Sequence, residues 1–203
     1  PEEDISTEIT LLTGIENKMV DGKFIDWNEV DALFQGVDII IAHNASFDRA
    51  FIDRFSSNSP SKIWACSISD IDWLERGFTS SKQELLCYWH GFYFDAHRAM
   101  NDVDALIHLL TFDNGLERPL LELIKNSNKS EFVIYAEYFK YDPVKKDILK
   151  GNKYRWNPND KIWFKKVNLD ELEHEKDWLT ATIYDQVFKG RVEEIIPSNK
   201  YKL

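Results

Sequence analysis

The chain has 203 residues, 43% of them hydrophobic, so it can bury the core of one large domain or of two small ones. It contains only two cysteines, no signal peptide and no apolar run of membrane-spanning length, so it needs no disulfide scaffold and we expect a cytoplasmic protein without a membrane partner. The net charge of −10 is unevenly distributed, because residues 1–129 carry −11 and residues 130–203 carry +1, so the acidic first half would hold nucleic acid only when bound cations neutralise it.

Residues 38–55 predict a strand followed by a helix. The apolar, β-branched run at 38–42 is typical of a strand buried on both faces, and the next two residues break it before a helix over 45–55. The helix would align three phenylalanines on one stripe: Phe47, Phe51 and Phe55. Asp48 then lies in the first helical turn, just beyond the carboxyl end of a strand, where α/β sheets tend to bind ligands. Equally, such an aspartate can simply complement the helix dipole.

A second helix is predicted over residues 98–111. Its expected core-facing stripe consists of Ala99, Val103, Leu106, Ile107 and Leu110. Asp102 projects along the edge of that stripe, where a carboxylate must be paired, hydrogen-bonded or bound to metal. His97 is expected on the loop that enters the helix, either leaning over the same site or as an ordinary surface histidine after a turn.

The two segments, His43–Asp48 and His97–Asp102, together predict metal-dependent hydrolysis of phosphodiester bonds. Carboxylates that come from distant segments are the ligands that a hard divalent cation needs. A nearby imidazole can serve as a general base at neutral pH.

A polar stretch over residues 125–130 predicts a linker between two domains, 1–125 and 131–203. The second domain is predicted to be a small α+β module. Its expected elements are a strand over 131–140, a helix over 143–150, a hairpin with its turn at 157–160, and a helix over 169–184.

This module contains a basic cluster with a net charge of +6 over residues 140–166, interleaved with aromatic side chains. Such a composition favours single-stranded nucleic acid, because bases stack on exposed rings while Lys and Arg neutralise phosphates. The alternative is that Trp156 and Trp163 are core partners across the hairpin and the lysines form an ordinary solvated face. Both interpretations remain open at the level of the sequence.

The pair HNASFD (residues 43–48) and HRAMND (residues 97–102) resembles the second and third motifs of the DnaQ-like 3′–5′ exonucleases, in the DEDDh branch. The segment over residues 12–20 is similar to the family segment that packs against the terminal nucleotide. Residues 64–67 and 88–92 fall where the family has a strand and the end of a helix. The resemblance covers roughly residues 1 to 112.

The resemblance implies an α/β, ribonuclease-H-like fold and two divalent cations, Mg²⁺ or Mn²⁺. It makes Asp48 and Asp102 metal ligands and His97 the general base. It assigns substrate contacts to Thr13, Gly14, Ile15, His43, Asn44 and Phe47. The implied partners are the 3′ ends of single-stranded DNA or RNA, within a polymerase or repair complex.

The family's first motif, Asp-x-Glu on the central strand, has no counterpart before Thr13. Because the chain opens at Pro1 without an initiator methionine, we expect a fragment that lacks the leading strands and holds only half of a two-metal site. The Asp-x-Asp at residues 70–72 predicts a solvated helix start instead. An unpaired edge along residues 39–41 would favour self-association.

Two functions from different classes follow from these observations. The first is a metal-dependent 3′–5′ exonuclease of the proofreading, repair or trimming type, with the fragment alone nearly inactive. The second is a catalytically inactive nucleic-acid-binding or docking protein on an exonuclease fold, since a fold does not by itself confer function.

Overall fold

The computed structural model describes residues 3–113, 115–184 and 186–202. The predicted fragment start at Pro1 lies outside the described residues. The same is true of four further residues of the two predicted domains: Glu2, Asn114, Asp185 and Leu203. The protein is mixed α/β and divides into two compact units: unit 1, Pro1–Ser127 with Tyr201–Leu203, and unit 2, Asn128–Lys200. No helix in the described part of the chain has the length and apolar character needed to cross a membrane.

Unit 1 is built on a parallel pair of short strands. These are β1 (Ile39–Ala42) and β2 (Ile63–Cys66), paired from Ile39 opposite Ile63 to Ala42 opposite Cys66. The helices are α1 (Thr7–Thr13), α2 (Asn17–Val20), α3 (Trp27–Gln35), α4 (Ala45–Ile52), α5 (Gln83–Trp89), α6 (Ala99–Thr111) and α7 (Pro119–Ser127). Because the strands are parallel and in register, the carboxyl ends of β1 and β2 lie at the same edge of the sheet.

Apolar clusters lie on both faces of this pair, which explains why β1 is a continuous apolar run. Ile39 and Ile41 pack into a cluster with residues of α5, α6 and α7. Ile40 and Ala42 pack instead with Ala45 at the start of α4. Cys87 of α5 is a free, buried thiol, and burial raises its pKa to about 12, as for a structural cysteine.

Helix α4 ends at Ile52, three residues before the expected end. The Arg49 side chain is fully buried; its Nε lies 3.0 Å from Asp53 Oδ2 and a terminal nitrogen donates to the Pro60 carbonyl, so the chain folds back over the helix end. The predicted phenylalanine stripe exists but faces outward. Phe51 and Phe55 are about half exposed and pack against Trp27 of α3, with ring centroids 6.2 and 4.9 Å away.

The predicted core stripe of α6 is confirmed at Leu106 and Leu110 and wrong at its other three residues. Ala99, Val103 and Ile107 are exposed, and the buried residues are Ala105, Leu106, Leu109 and Leu110. Apolar residues at 99, 103, 105, 106, 107, 109 and 110 fit two overlapping stripes, and the sequence does not choose between them. Asp102, three residues before Ala105, therefore aligns with the buried stripe rather than with its edge.

The Asp-x-Asp at residues 70–72 is not a solvated helix start. Asp70 is only 3% exposed and lies in a turn, where its Oδ2 accepts the Cys66 N–H at 2.8 Å. Asn126 of α7 donates its side-chain amide to the Asp70 carbonyl at 3.0 Å. Asp70 therefore stabilises the chain just after β2.

Unit 2 is a four-stranded antiparallel sheet with two helices. In chain order the elements are β3 (Glu131–Ala136), α8 (Pro143–Gly151), β4 (Arg155–Asn157), β5 (Ile162–Val167), α9 (Leu169–Thr182) and β6 (Arg191–Ile195). The strand order is β4-β5-β3-β6, so the chain follows the split βαββαβ topology. Strand β3 ends at Ala136, whereas the sequence predicted that it would extend to residue 140. Tyr138 has a left-handed φ of 54°, which is incompatible with an extended strand.

Leu109→Ala tests the corrected face of α6. Leu109 is fully buried, so its truncation should lower the free energy of unfolding by about 2–5 kcal/mol. Ile107→Ala is the matched control on the same helix, because Ile107 is about half exposed and should cost far less. Urea unfolding of both variants measures the difference. Equal losses of unfolding free energy would contradict the buried face described here and favour the face that the sequence predicted.

Candidate functional site

The turn after β1 places the first motif at the carboxyl edge of the strand pair. Asn44 adopts a left-handed conformation, with φ 68° and ψ 54°, which asparagine tolerates better than most residues. The chain therefore turns sharply into α4, where Ala45 is fully buried and its N–H lies 3.4 Å from Cys66 Sγ. Asp48 follows in the first turn of α4, and Phe47 beside it is 76% exposed.

His43 links the ends of the two strands. Its Nδ1 lies 2.8 Å from the hydroxyl of Ser67, the residue that follows β2. Ser67 is itself buried and its carbonyl accepts the Trp73 indole N–H at 2.6 Å. Burial lowers the pKa of His43, opposed by the nearby charge of Asp102, so the imidazole is neutral at pH 7.

Asp48 is a half-buried carboxylate whose charge is not compensated by the protein. Burial raises the pKa of its carboxyl group, opposed only by a backbone hydrogen bond within the same residue. Over residues 3–113, 115–184 and 186–202, no Lys, Arg or His side chain forms an ion pair with it. A bound cation would relieve this cost.

Asp102 lies in the first turn of α6 and is held from two sides. Its Oδ1 accepts the backbone N–H of His97 at 3.3 Å, and its carbonyl accepts the side-chain amide of Gln83 at 2.6 Å. Helix α6 packs through Ala105 and Leu106 in the same core cluster as Ile41 of β1, and the charge of Asp102 opposes the lowering of the pKa of His43 just after that strand. The structure thus brings the second predicted segment to the first.

His97 precedes α6 in a left-handed conformation with φ 66°. Its side chain is half exposed, and Nε2 lies 3.8 Å from Glu84 Oε1 on α5. The ring is therefore accessible to a ligand. The backbone N–H is the part of His97 that contacts Asp102.

The predicted substrate segment is joined to the same loop through Gly14. This residue ends α1 with φ 66°, and its carbonyl accepts a hydrogen bond from Arg98 at 3.3 Å. A Cβ at position 14 would lie 2.8 Å from that guanidinium nitrogen, so a side chain here would displace it. Thr13 is tied back to α1 by donating to the Ile9 carbonyl, and its Oγ1 accepts the Ile15 N–H at 3.1 Å.

Sequence reasoning missed four residues that support this region: Ser67, Gln83, Glu84 and Arg98. Arg98 lies inside the HRAMND motif and could have been singled out by its position. The other three reach the site from β2 and α5 through contacts between distant parts of the chain, which no local pattern reports.

The two motifs each contribute one carboxylate of the type found in divalent-metal sites. Asp48 and Asp102 supply hard oxygen ligands of the kind Mg²⁺ or Mn²⁺ uses. Among the residues that the structure describes, however, no group of three or more His, Cys, Asp or Glu side chains could hold a metal ion. Two carboxylates fall short of what a pair of cations needs.

Asp48→Asn should stabilise the isolated protein at pH 7. The folded-state pKa of Asp48 is raised, so its contribution to stability is present below the ordinary value of 3.8 and is lost as the pH rises through the folded-state value. Removing the charge should therefore raise the melting temperature at pH 7, and the gain should shrink as the pH falls.

Thermal unfolding at several pH values in EDTA measures this effect. Asp104→Asn on α6 is the control, since Asp104 is exposed and its substitution should change stability by less than about 0.5 kcal/mol. A lower melting temperature for Asp48→Asn at pH 7 would show that the carboxylate is compensated within the protein.

Comparison of the chain with protein-family models, with curated proteins and with solved structures found no match.

Proposed function

We propose that unit 1 is a ribonuclease-H-like domain that hydrolyses phosphodiester bonds as a metal-dependent 3′–5′ exonuclease. The observation that carries this proposal is the packing of α6 against β1 in one core cluster that contains Leu106 and Ile41, with Asp102 in the first turn of α6. It joins the HRAMND segment at the start of α6 to the HNASFD segment after β1. Both segments would then lie at the carboxyl edge of a parallel strand pair, where α/β sheets usually bind ligands.

In this proposal Asp48 and Asp102 bind Mg²⁺ or Mn²⁺. A bound cation would supply Lewis-acid stabilisation of the phosphate and lower the pKa of water. The uncompensated charge of Asp48 supports this role, because a carboxylate held half-buried without a cationic partner destabilises the fold unless a ligand offsets it. Two ions would require further oxygen ligands beyond these two.

His97 acts as the general base. Its ring is half exposed on the loop that Asp102 fixes through the backbone N–H, so the imidazole can reach a ligand while its main chain stays in place. The carboxylate of Glu84 lies 3.8 Å from the Nε2 atom of this ring. His43 is less suited to this role, because burial disfavours its charged form.

The remaining predicted residues contact the terminal nucleotide. Phe47 offers an exposed ring beside Asp48, on which a base can stack. Gly14 has no side chain, which leaves room for the Arg98 guanidinium against its backbone. The Arg98 guanidinium, held at the Gly14 carbonyl, is a donor for phosphate.

A second candidate is a nucleic-acid-binding or docking protein without catalysis. It is favoured by the absence of a third metal-ligating side chain near Asp48 and Asp102 within the described ranges. The two candidates differ in one measurable property, the release of nucleotides from 3′ ends when Mg²⁺ or Mn²⁺ is added.

Asp102→Asn should abolish that release, because it removes a charged ligand and keeps the side chain's shape. A 5′-labelled single strand resolved on a gel reports the shortening from its 3′ end. Asp104→Asn, two residues away on the same helix and exposed, should leave the rate unchanged. Undiminished digestion by Asp102→Asn would remove this residue from the chemistry.

His97→Ala should lower the turnover rate by about 10²–10⁴-fold while metal-dependent binding of the strand persists, as expected for loss of a general base. The rate should lose its dependence on the ionisation of this imidazole, which a pH profile detects. His174→Ala, an exposed histidine on α9, is the control. If both variants match the unsubstituted protein in rate and pH profile, another group accepts the proton.

A further inference from the structure

The sheet of unit 2 has its helices on one face; the other face, which we call the open face, carries Tyr135 and Phe164 and is buried only locally, at Val133. Ile134, Ala136, Trp163 and Val167 point to the covered face, where they share a core with Leu149 of α8 and Leu179 of α9. Side chains alternate along a strand, so the next residue in each case belongs to the other face. No helix of unit 2 contributes to a core on that second face within the described residues.

The strand register aligns four residues of the open face in one row. Arg155 of β4 pairs with Phe164 of β5, Phe164 pairs with Tyr135 of β3, and Tyr135 pairs with Arg191 of β6. The row crosses all four strands, a span of about 14 Å from the usual strand spacing. It places two aromatic rings on the two central strands and one guanidinium on each outer strand; we call it the cross-sheet row.

The two central rings are neighbours and are both partly exposed. Their centroids lie 6.5 Å apart with planes inclined at 39°. Aromatic residues at directly opposed positions stabilise a sheet, and this stabilisation does not require the rings to be exposed. Here both rings are partly exposed, Val133, Ile162 and Ile195 lie on the same face, and the Arg191 guanidinium covers one side of the Tyr135 ring.

The flanking guanidinium groups differ in their surroundings. Arg191 lies over the Tyr135 ring at 3.9 Å and reaches Glu137 at 3.3 Å and Glu193 at 3.1 Å. Arg155 is exposed and forms no ion pair with any residue that the structure describes. A guanidinium is a bidentate partner for phosphate, and Arg155 is available for one without losing an existing carboxylate.

We propose that the cross-sheet row binds single-stranded nucleic acid. A base stacks on Phe164, and a phosphate contacts Arg155. When Arg191 exchanges its carboxylates for a second phosphate, it also uncovers the Tyr135 ring for a second base. The partner is a single strand because stacking requires unpaired bases with exposed ring faces, and a sheet with aromatic residues on its central strands provides a platform for them. Its phosphates match the guanidinium of Arg155, unpaired among the described residues, at one end of the row, whereas the charge of Arg191 at the other end is balanced by Glu137 and Glu193 until a phosphate replaces them.

The row also resolves the two interpretations of the basic cluster over residues 140–166. Trp163 is 8% exposed and packs in the core, and Lys165 forms a buried ion pair with Glu175 at 2.6 Å, so these residues are structural. Phe164 and Arg155, from the same hairpin, face outward instead. The cluster is thus divided between the two faces of the sheet.

This inference concerns unit 2 and does not depend on nuclease activity. Binding is measured by the fluorescence anisotropy of a labelled oligothymidine strand with the full chain in EDTA, where hydrolysis cannot occur. Asp104→Asn, an exposed substitution in unit 1, should not change this affinity. Loss of nuclease activity and loss of the row are therefore distinguished by separate variants.

Phe164→Ala should weaken binding by about 5- to 100-fold, the range for removal of one base-stacking ring, whereas Phe164→Trp should retain most of the affinity. Arg155→Gln should weaken binding and reduce the slope of log affinity against log salt by about 0.7, the value for one phosphate contact on a single strand. Lys150→Gln, exposed on α8 on the opposite side of the sheet, is the charge control.

The proposal is supported if the Phe164→Ala and Arg155→Gln variants bind more weakly and Lys150→Gln does not. It is overturned if the unsubstituted chain shows no binding, or if Arg155→Gln matches Lys150→Gln in affinity and salt slope. Because Arg155 is exposed and without an ion pair, its substitution cannot fail merely by unfolding the protein. Circular dichroism confirms the fold of the Phe164 variants.

Discussion

The parallel pairing of β1 with β2 is the constraint on which unit 1 depends. Its register ends both strands at one edge, where His43 and Ser67 meet through a 2.8 Å hydrogen bond. Apolar side chains on both faces require cover from both sides, which brings α4 to one face and α5, α6 and α7 to the other. Asp48 and Asp102 reach the region because each lies in the first turn of one of these helices.

The electrostatics of this region oppose stability rather than support it. Burial raises the pKa of Asp48 and lowers that of His43, so one carboxylate and one imidazole are held where their charged forms are disfavoured. Structural ion pairs have the opposite effect, as in the bond of buried Arg49 to Asp53. Perturbed groups of this kind concentrate at functional sites, which is why the proposed function centres on them.

Local patterns in the sequence predicted β1, the start of α4 and the helix that carries Asp102, because each depends on neighbouring residues. The buried face of α6 was not predictable, since two apolar stripes overlap and packing selects one. Asp70 was misread because its acceptor role for Cys66 depends on a turn. The contact of Gly14 with Arg98, 84 residues apart, and the cross-sheet row both depend on tertiary pairing that periodicity does not encode.

The central claim is that Asp48 and Asp102 bind the same divalent cation. A double-mutant cycle on the stabilisation of the chain by MnCl₂, followed by thermal unfolding, tests it directly. We expect Asp48→Asn and Asp102→Asn each to remove most of the Mn²⁺-dependent shift, the double variant to lose no more than either, and Asp104→Asn to keep it. A full shift in either single variant, or losses that add independently, would contradict a shared site.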